Sequence, residues 1–533
     1  MKMIYNVEDK PAWSKLLVFA FQQVLAIMAA TIAVPHIIGL DTQIPAAILG
    51  AGVGTIVYLL FTKFKSPVCI SSSFAFLSSL FVALTFGYCG IIVGGILAGL
   101  VYVIIAIVIH FVGTKWVSKL MPPVIIGPTV ALIGLSLAGN AVGDFVKASA
   151  SSINGAYNWV SILCALVTLI TIIVCSIQKK RKGLRLIPFI VGIGAGYLCA
   201  LIFTLIGYAA KADYLMVLDW SPLVNNFSPV KFTSFLDYPH FALVEGIKEL
   251  ANGTATMSWA GLGEIALAFI PVALVVFAEH IADHKNLGSI IERDLVEGEP
   301  GLERTLLGDG VGSIAGTVFG ICPNTTYGES VGCVAITRNA SVRTIFVAAC
   351  MCIVLSFVKP LMVILQTIPS CVMGGVCLTL YGFIAVSGLK MFKDIDLGEN
   401  KNLFTVSAIL IAGIGGLSIQ IPYALIKANV PTIGYDAAGN AIELYDSNGN
   451  QLFDALAGQP AKVITVTSIA TALILGICIY AICNFIEKKQ KDIPDDGEAE
   501  SLMAAPIESG STYEVGGGEE TVETVETTDG DNE

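Results

Sequence analysis

Charge is what this sequence has least of. Only 13% of its 533 residues are Asp, Glu, Lys or Arg, against roughly 25% in an ordinary soluble protein. A deficit of that size in so long a chain excludes disorder, a fibrous repeat and an ordinary soluble enzyme. No CxxC pair occurs among the thirteen cysteines. Most of them sit in apolar runs, as Cys164, Cys175, Cys350, Cys352, Cys478 and Cys483 do. Disulfide scaffolds are short, secreted and Cys-dense, so these thiols read as small buried hydrophobes. No cleavable leader is expected, because the first fifteen residues are polar and no small-residue cleavage site follows. No basic face stands apart from the membrane-flanking positions, which removes nucleic acid as a partner. No nucleophile–base set or metal motif speaks for an enzyme.

Hydrophobicity is what remains. The chain is 55% hydrophobic with 53 glycines, and its mean hydropathy is +0.79. Glycine is enriched in membrane helices. The expected class is an all-α polytopic membrane protein. A spanning helix needs about 20 apolar residues. Clear spans are expected to start near Leu17, Pro45, Gly90, Trp159, Ile187, Ile265, Val342, Phe404 and Val463. Shorter or interrupted runs cover Phe74 to Phe86, Pro123 to Ala138, Val311 to Ile321, Tyr327 to Ile336 and Pro369 to Val386. Together they make fourteen.

Basic residues test that number, because Lys and Arg collect in cytoplasmic loops. With the N-terminus inside and fourteen alternating spans, inside segments hold 23 of the 30 basic residues. The outside segments hold only Lys147, Lys211, Lys231, Lys248, Lys359, Lys427 and Lys462. A wrong number of spans would scramble this alternation. The split therefore favours both termini in the cytoplasm, as for a carrier of the cytoplasmic (inner) membrane.

The sequence also repeats itself weakly. SPVCISSSF, with Pro67, aligns with CPNTTYGES, with Pro323, at an offset of 256. The same offset carries Gln23 onto Glu279. PPVIIGP from Pro122 resembles PSCVMGG from Pro369 at an offset of 247. Three matches in one order suggest two halves of seven spans, and an odd number per half makes the halves inverted. Inverted repeats with broken helices at the midplane are typical of secondary transporters. Here SSSFAFLSSLF and NTTYGESVGCVAI each give a polar stretch and then a short apolar run. Irregular backbone at that depth must be buried in protein or line a cavity. Half-helix N-termini would then offer free N–H groups to ligand carbonyls.

Two carboxylates fall inside this hydrophobic frame, where each costs about 3 kcal/mol to insert. Glu279 lies well inside the eighth span, in VALVVFAEHIADH, and Glu329 lies in the first turn of the second half-helix. As a pair they would accept N–H groups of a neutral ligand, while backbone amides take its carbonyls. Asp283 follows Glu279 by one turn on the same face. Two acids that close in low dielectric repel, so one is expected to hold a proton. Asp283, Glu279 and the adjacent His280 are the proton-coupling candidates. His280 and His284 share a helical face suited to a metal, but no matching ligand cluster occurs elsewhere, so no metal site is expected. Tyr381 sits mid-span, as a lid over the site or as packing.

The blocks VVFAEHIADHKNLGSIIERDL, GDGVGSIAGTVFG, PNTTYGESVGCVAITR and IPSCVMGGVCLTLYGFIAVSG resemble the nucleobase–ascorbate transporter family, and within it the bacterial uracil permeases. The resemblance runs from Trp13 to about Ile486. It implies two inverted seven-span repeats, with a core domain of spans 1–4 and 8–11 and a gate domain of spans 5–7 and 12–14. Short strands would precede the half-helices of spans 3 and 10, with the substrate between them. The implied activity is proton-coupled import of uracil, by a homodimer whose cores move against their gates, with no cofactor beyond the proton. By the same resemblance the two substrate glutamates fall on Glu279 and Glu329, the substrate-binding amides on Phe74 and Gly328, and the pocket tyrosine on Tyr381. The family often has His four residues after the first Glu, a position linked to proton coupling; here it is Asp283. The family signature, (Gln/Glu)-Asn-x-Gly-x4-Thr, reads Glu329-Ser330-Val331-Gly332 here and ends at Thr337, with Ser for Asn, and Glu at its first position favours uracil over xanthine or urate. Another nucleobase is the alternative substrate. An anion exchanger or channel of the same fold is less favoured, because it should place a base at the half-helix junction.

The expected organisation is a cytoplasmic N-terminus (1–12), a first repeat (13–208), an outer loop (209–258), a second repeat (259–486) with an outer loop at 429–461, and a tail (487–533). The net charge of −11 belongs to that tail. From Asp492 onward there are fourteen acids and no Lys or Arg, while the rest of the chain nets +3. Such a tail is expected to be disordered and cytoplasmic.

Overall fold

A computed structural model describes residues 3–147, 157–178, 184, 187–253, 259–425, 430–431, 433–435, 441–443, 453–454 and 460–490. The acidic segment from 491 onward lies outside the described residues. Residues 1–482 form one compact unit. Of the second unit, 483–533, only the end of the last helix is described.

The first half runs α1 (Trp13–Ile37), α2 (Ile44–Phe61), β1 (Ile70–Ser72), α3 (Leu77–Leu84), α4 (Gly87–Val112), α5 (Pro123–Ser136), α6 (Ala138–Val146), α7 (Trp159–Ile177) and α8 (Pro188–Ala210). The segment between the halves carries α9 (Ala242–Ala251). The second half runs α10 (Trp259–Ile291), α11 (Leu302–Val318), β2 (Asn324–Thr326), α12 (Gly328–Thr337), α13 (Val342–Ser356), α14 (Lys359–Gln366), α15 (Ser370–Lys390), α16 (Asn400–Ile414) and α17 (Ser468–Gln490).

Among the described residues nine helices are long and apolar enough to cross a membrane. The other expected spans correspond to shorter helices: Phe74–Leu84, Val342–Ser356 and Asn400–Ile414, with α11 and α12. Helix length alone therefore gives fewer full spans than the fourteen expected from hydropathy. The reason is local for two of them, where a strand takes up part of the segment that a helix would fill. The span expected near Val463 also differs. Val463 lies in a strand (Pro460–Val466) and the helix begins at Ser468. That strand pairs antiparallel with Ile419–Leu425. Two further two-stranded ribbons lie within 430–454. The chain is thus mostly helical rather than all-α, since extended segments can pair wherever a loop is long enough to bring them back.

Glycine lets the helices of the first packed group approach. In lipid there is no hydrophobic drive between helices, so small residues and close contact hold them. α11 is the centre of this group, against α2 on one side and α4 on the other. A Cβ on Gly50 or Gly54 of α2 would lie 2.4 Å and 2.9 Å from the carbonyl oxygens of Gly316 and Gly312. One on Gly99 of α4 would lie 2.5 Å from the Gly310 oxygen. α13 packs on α2, and α10 on α4. The second group is built around α15, which packs on α5, α6 and α7.

β1 and β2 meet in the first group, antiparallel, with Ile70, Ser71 and Ser72 opposite Thr326, Thr325 and Asn324. All six residues are buried. Strand backbone at that depth must find partners within the protein. The Thr55 hydroxyl bonds both the N–H and the carbonyl of Ile70 at 3.0 Å. Ser73 donates its N–H to the Pro323 carbonyl at 2.9 Å, and Tyr327 to that of Cys69 at 3.3 Å. The Asn324 amide reaches the Gly50 carbonyl at 2.9 Å. The far end of α12 is tied down by the N-terminal segment. Ile4 donates to the Arg338 carbonyl at 2.8 Å, and Ala340 to that of Tyr5 at 2.9 Å. Arg293 grips Glu8 with two bonds of 2.7 Å, which holds that carboxyl below the usual carboxylate range.

Candidate functional site

Two short helices begin beside the β1–β2 pair. The first opens as a single 3₁₀ turn, Phe74–Phe76, that runs into α3; the second is α12. Ser73 and Tyr327 stand before them in extended conformation. The first N–H groups of a helix have no partner within it, and the macrodipole adds partial positive charge there. Gly328 opens α12 and is exposed, although Asn324 to Tyr327 before it are buried. Its N–H stands at the exposed start of the helix.

α10 supplies the side chains that face this junction. It packs against β2, α12 and the Phe74–Phe76 turn. Glu279 is half-buried. It interacts with Asp283, Glu329 and Asp309 as like charges, and its carboxylate has no hydrogen bond or ion pair among the described residues. Glu329 is half-buried too, and its carboxylate bonds only its own N–H. Two carboxylates with open lone pairs and an exposed amide therefore share one junction. That set can take a neutral molecule carrying both N–H donors and carbonyl acceptors.

Asp283 is buried beside them. Its Oδ2 accepts the Thr326 hydroxyl at 2.8 Å, and its Oδ1 is 3.9 Å from where a Cβ on Gly328 would sit. Asp283 therefore tethers α10 to the root of α12. Phe74 and Tyr381 come together on the other side of the junction, with ring centroids 5.4 Å apart and edge-to-face at 84°. The Tyr381 hydroxyl is buried with no hydrogen-bond partner among the described residues.

His280 points away from this junction. It is fully buried, with Nδ1 2.7 Å from Asp309 Oδ2 and Nε2 3.1 Å from Thr305 Oγ1, both on α11. His284 Nδ1 donates to the His280 carbonyl at 2.8 Å, and its Nε2 is 2.7 Å from the Tyr58 hydroxyl. The two imidazoles are thus each committed to side chains of different helices. Among the described residues no group of three His, Cys, Asp or Glu could hold a metal ion.

Sequence reasoning overlooked Asp309. The apolar run expected from hydropathy starts at Val311, two residues after Asp309. In the structure α11 starts at Leu302 and Asp309 is fully buried inside it. The glycines around it, Gly308, Gly310 and Gly312, lower local hydropathy while permitting close packing, and they were the available signal. Gln23, a polar residue of the first span, makes an interhelical bond. Its side chain bonds the Ser330 hydroxyl at 3.1 Å and the Ser330 carbonyl at 3.4 Å. It thereby fixes α12 one residue after Glu329, while the Ser330 hydroxyl also receives the Cys69 N–H at 3.0 Å.

Comparison with known proteins gives a consistent result. A family model described as "Permease family" matches residues 14–421. The uracil permease of Bacillus caldolyticus is 38% identical over 79% of this chain and 90% of its own length. That of Bacillus subtilis (strain 168) is 37% identical over the same shares. Among solved structures, the murine Slc26a9 anion transporter in its inward-facing state aligns at a TM-score of 0.52. It does so with 10% identity over 90% of this chain and 69% of its own. This last likeness speaks for the fold alone.

Proposed function

Because the chain belongs to the permease family of nucleobase–ascorbate transporters, we propose that it imports uracil across the cytoplasmic membrane, coupled to protons. The observation that carries the reading is the pair of open carboxylates, Glu279 and Glu329, beside the exposed start of α12. Uracil offers two N–H donors and two carbonyl oxygens on a flat ring. The carboxylates accept the N–H groups, and the Gly328 and Phe74 amides donate to the carbonyls. Phe74 and Tyr381 form an aromatic wall for the ring face. Charge-assisted bonds of this kind are the strong ones, and an anion would meet two like charges.

The transport cycle follows the two packed groups. The core is α1–α4 with α10–α13, and the gate is α5–α8 with α14–α17. Alternating access is movement of the core, with its bound substrate, against the gate. Fourteen spans in two inverted repeats is the arrangement we infer, with both termini in the cytoplasm and two copies forming a dimer in the lipid. Matched contacts support the repeats. α2 packs on α13 as α11 does on α4, and α1 packs on α12 as α10 does on α3. The coupling proton resides in the acidic turn of α10, for which Glu279, His280 and Asp283 are the candidates.

Uptake of labelled uracil, with unlabelled xanthine as competitor, tests the reading. In Glu279→Gln and Glu329→Gln uracil uptake is expected to fall by about 100-fold or more, the loss of one charged hydrogen bond each. Unchanged uptake in either variant removes that residue from the site. Xanthine that competes as well as uracil would reassign the substrate.

A further inference from the structure

Four carboxylates share the buried neighbourhood of α10: Glu279, Asp283, Asp309 and Glu329. Among the described residues no Lys or Arg bonds any of them. Four ionised carboxylates without a cation repel one another in low dielectric, so the cluster favours the uptake of a proton. Three of the four are poor holders if the proposed function is right. Glu279 and Glu329 must be ionised to accept substrate N–H groups. Asp283 accepts the Thr326 hydroxyl on Oδ2, a bond that favours its ionised form.

The surroundings of His280 differ. Nδ1 is 2.7 Å from Asp309 Oδ2, the length of a charge-assisted bond. Nε2 is 3.1 Å from the Thr305 hydroxyl. That hydroxyl donates its own proton to the Leu302 carbonyl at 3.2 Å, so it turns a lone pair toward the ring. Each ring nitrogen therefore faces an acceptor. A neutral imidazole has one N–H and would satisfy only one of them, whereas an imidazolium satisfies both. Three further oxygens are buried nearby: Asp309 Oδ1 has no hydrogen-bond partner among the described residues, and the Tyr102 and Thr325 hydroxyls face each other. The rings of Tyr102 and His280 are 6.3 Å apart. Thr325 belongs to β2, three residues before Gly328, so these hydroxyls lead from the substrate junction to Asp309.

We propose that the coupling proton is carried as an imidazolium on His280, held by Asp309, and not on Asp283. The proposal rests on the transport reading above. Proton uptake converts neutral His280 beside the Asp309 carboxylate to an ion pair; release to the cytoplasm reverses it, and no other group changes charge. The groups that face the pair are Glu279, Asp283 and His284 on α10, Tyr102 on α4, Tyr58 on α2 and Thr305 on α11, with Glu329 on α12 beyond Glu279. Loading the pair neutralises one of four negative charges at the moment the two glutamates lose water to substrate. That is how substrate and proton occupancy become linked.

The test uses the full chain in proteoliposomes, with labelled uracil as probe. Three quantities are read: uracil exchange without a gradient, accumulation driven by an inward proton gradient, and protons taken up per uracil. In His280→Gln and Asp309→Asn, exchange is expected to stay within about threefold of wild type. Gradient-driven accumulation and proton uptake per uracil are expected to vanish. In Asp283→Asn the proton-to-uracil ratio is expected to remain. A wild-type ratio in His280→Gln, or its loss only in Asp283→Asn, overturns the proposal. Should the variants not insert, wild-type protein with ring-labelled histidine decides by magnetic resonance. A resonance assigned to His280 that titrates with transport supports the proposal, and its failure to do so overturns it. A wild-type protein that fails to exchange uracil at all would instead sink the transport reading.

Discussion

The two strand-then-helix junctions share a backbone but not a chemistry. At the offset of 256, Val68, Cys69 and Ile70 stand where Asn324, Thr325 and Thr326 stand in the second half. The same offset sets Ser73 against Glu329 and Gln23 against Glu279, although in the structure Ser73 precedes its half-helix as Tyr327 does. Both strands are buried and both feed a short helix. The first junction borrows its bonds from neighbours: Thr55 on α2 serves Ile70, and the Thr31 hydroxyl of α1 lies 2.8 Å from that of Ser71. The second supplies its own side chains, with Asn324 reaching Gly50 and Thr326 reaching Asp283. Repetition thus sets the scaffold, and charge is spent on one half only. A single acidic half limits the like-charge repulsion that two would impose at one site.

The largest way to break this comparison is through the scaffold both junctions share. A Cβ on Gly316 would lie 2.2 Å from the Asn324 amide nitrogen. Gly316→Val must displace Asn324, leaving the Gly50 carbonyl and the amide unpaired. Overpacking of about 1–3 kcal/mol adds to about 1–3 kcal/mol for the buried polar groups. The expected outcome is a severe fall in folded, monodisperse protein, read by gel filtration and thermal unfolding. A variant of wild-type stability would mean that β2 does not depend on its own side chain. Gly54→Val presses on the same amide, with a Cβ 2.3 Å away, and should behave alike.

Next in size is Gln23, the neutral counterpart of Glu279. It holds Ser330 and so the angle at which α12 presents Glu329. Gln23→Ala should weaken uracil affinity by about tenfold, the value of roughly one buried hydrogen bond, with little change in stability. Gln23→Glu should be worse, because it replaces the donor to the Ser330 carbonyl by a third acid near the pair. If Gln23→Glu transported as well as wild type, the concentration of charge in one half would be incidental.

How much of this was legible follows the same asymmetry. The broken helices were visible because a proline before a run of small polar residues cannot continue an apolar helix. Glu279 and Glu329 stood out because an acid in an apolar run is rare. Asp309 did not, because its helix begins in a Gly-rich, charged stretch that hydropathy reads as loop. Its partner His280 is 29 positions away, and no periodicity links them. The strand at Pro460–Val466 reads as the start of a helix in sequence, since an apolar run alone does not distinguish the two. The role of Gln23 was hidden for another reason: pairing with Ser330, 307 residues on, exists only after the halves have met.

The smallest expected effect is the sharpest test of the asymmetry. Ser73 aligns with Glu329 at the sequence offset of 256, and its hydroxyl is buried with no partner among the described residues. Ser73→Ala removes that hydroxyl and leaves the backbone that matters, the N–H donating to Pro323 and the amide of Phe74 behind it. Deleting a buried hydroxyl that bonds nothing should cost little, and it removes a polar group that the interior penalises. Uracil KM and maximal rate should both stay within about threefold of wild type, with thermal stability equal or slightly raised. A loss approaching that of Glu329→Gln would show that the Ser73 hydroxyl touches the substrate. The first half would then contribute side-chain recognition and not merely backbone, and the division between a scaffold half and a chemical half would fail.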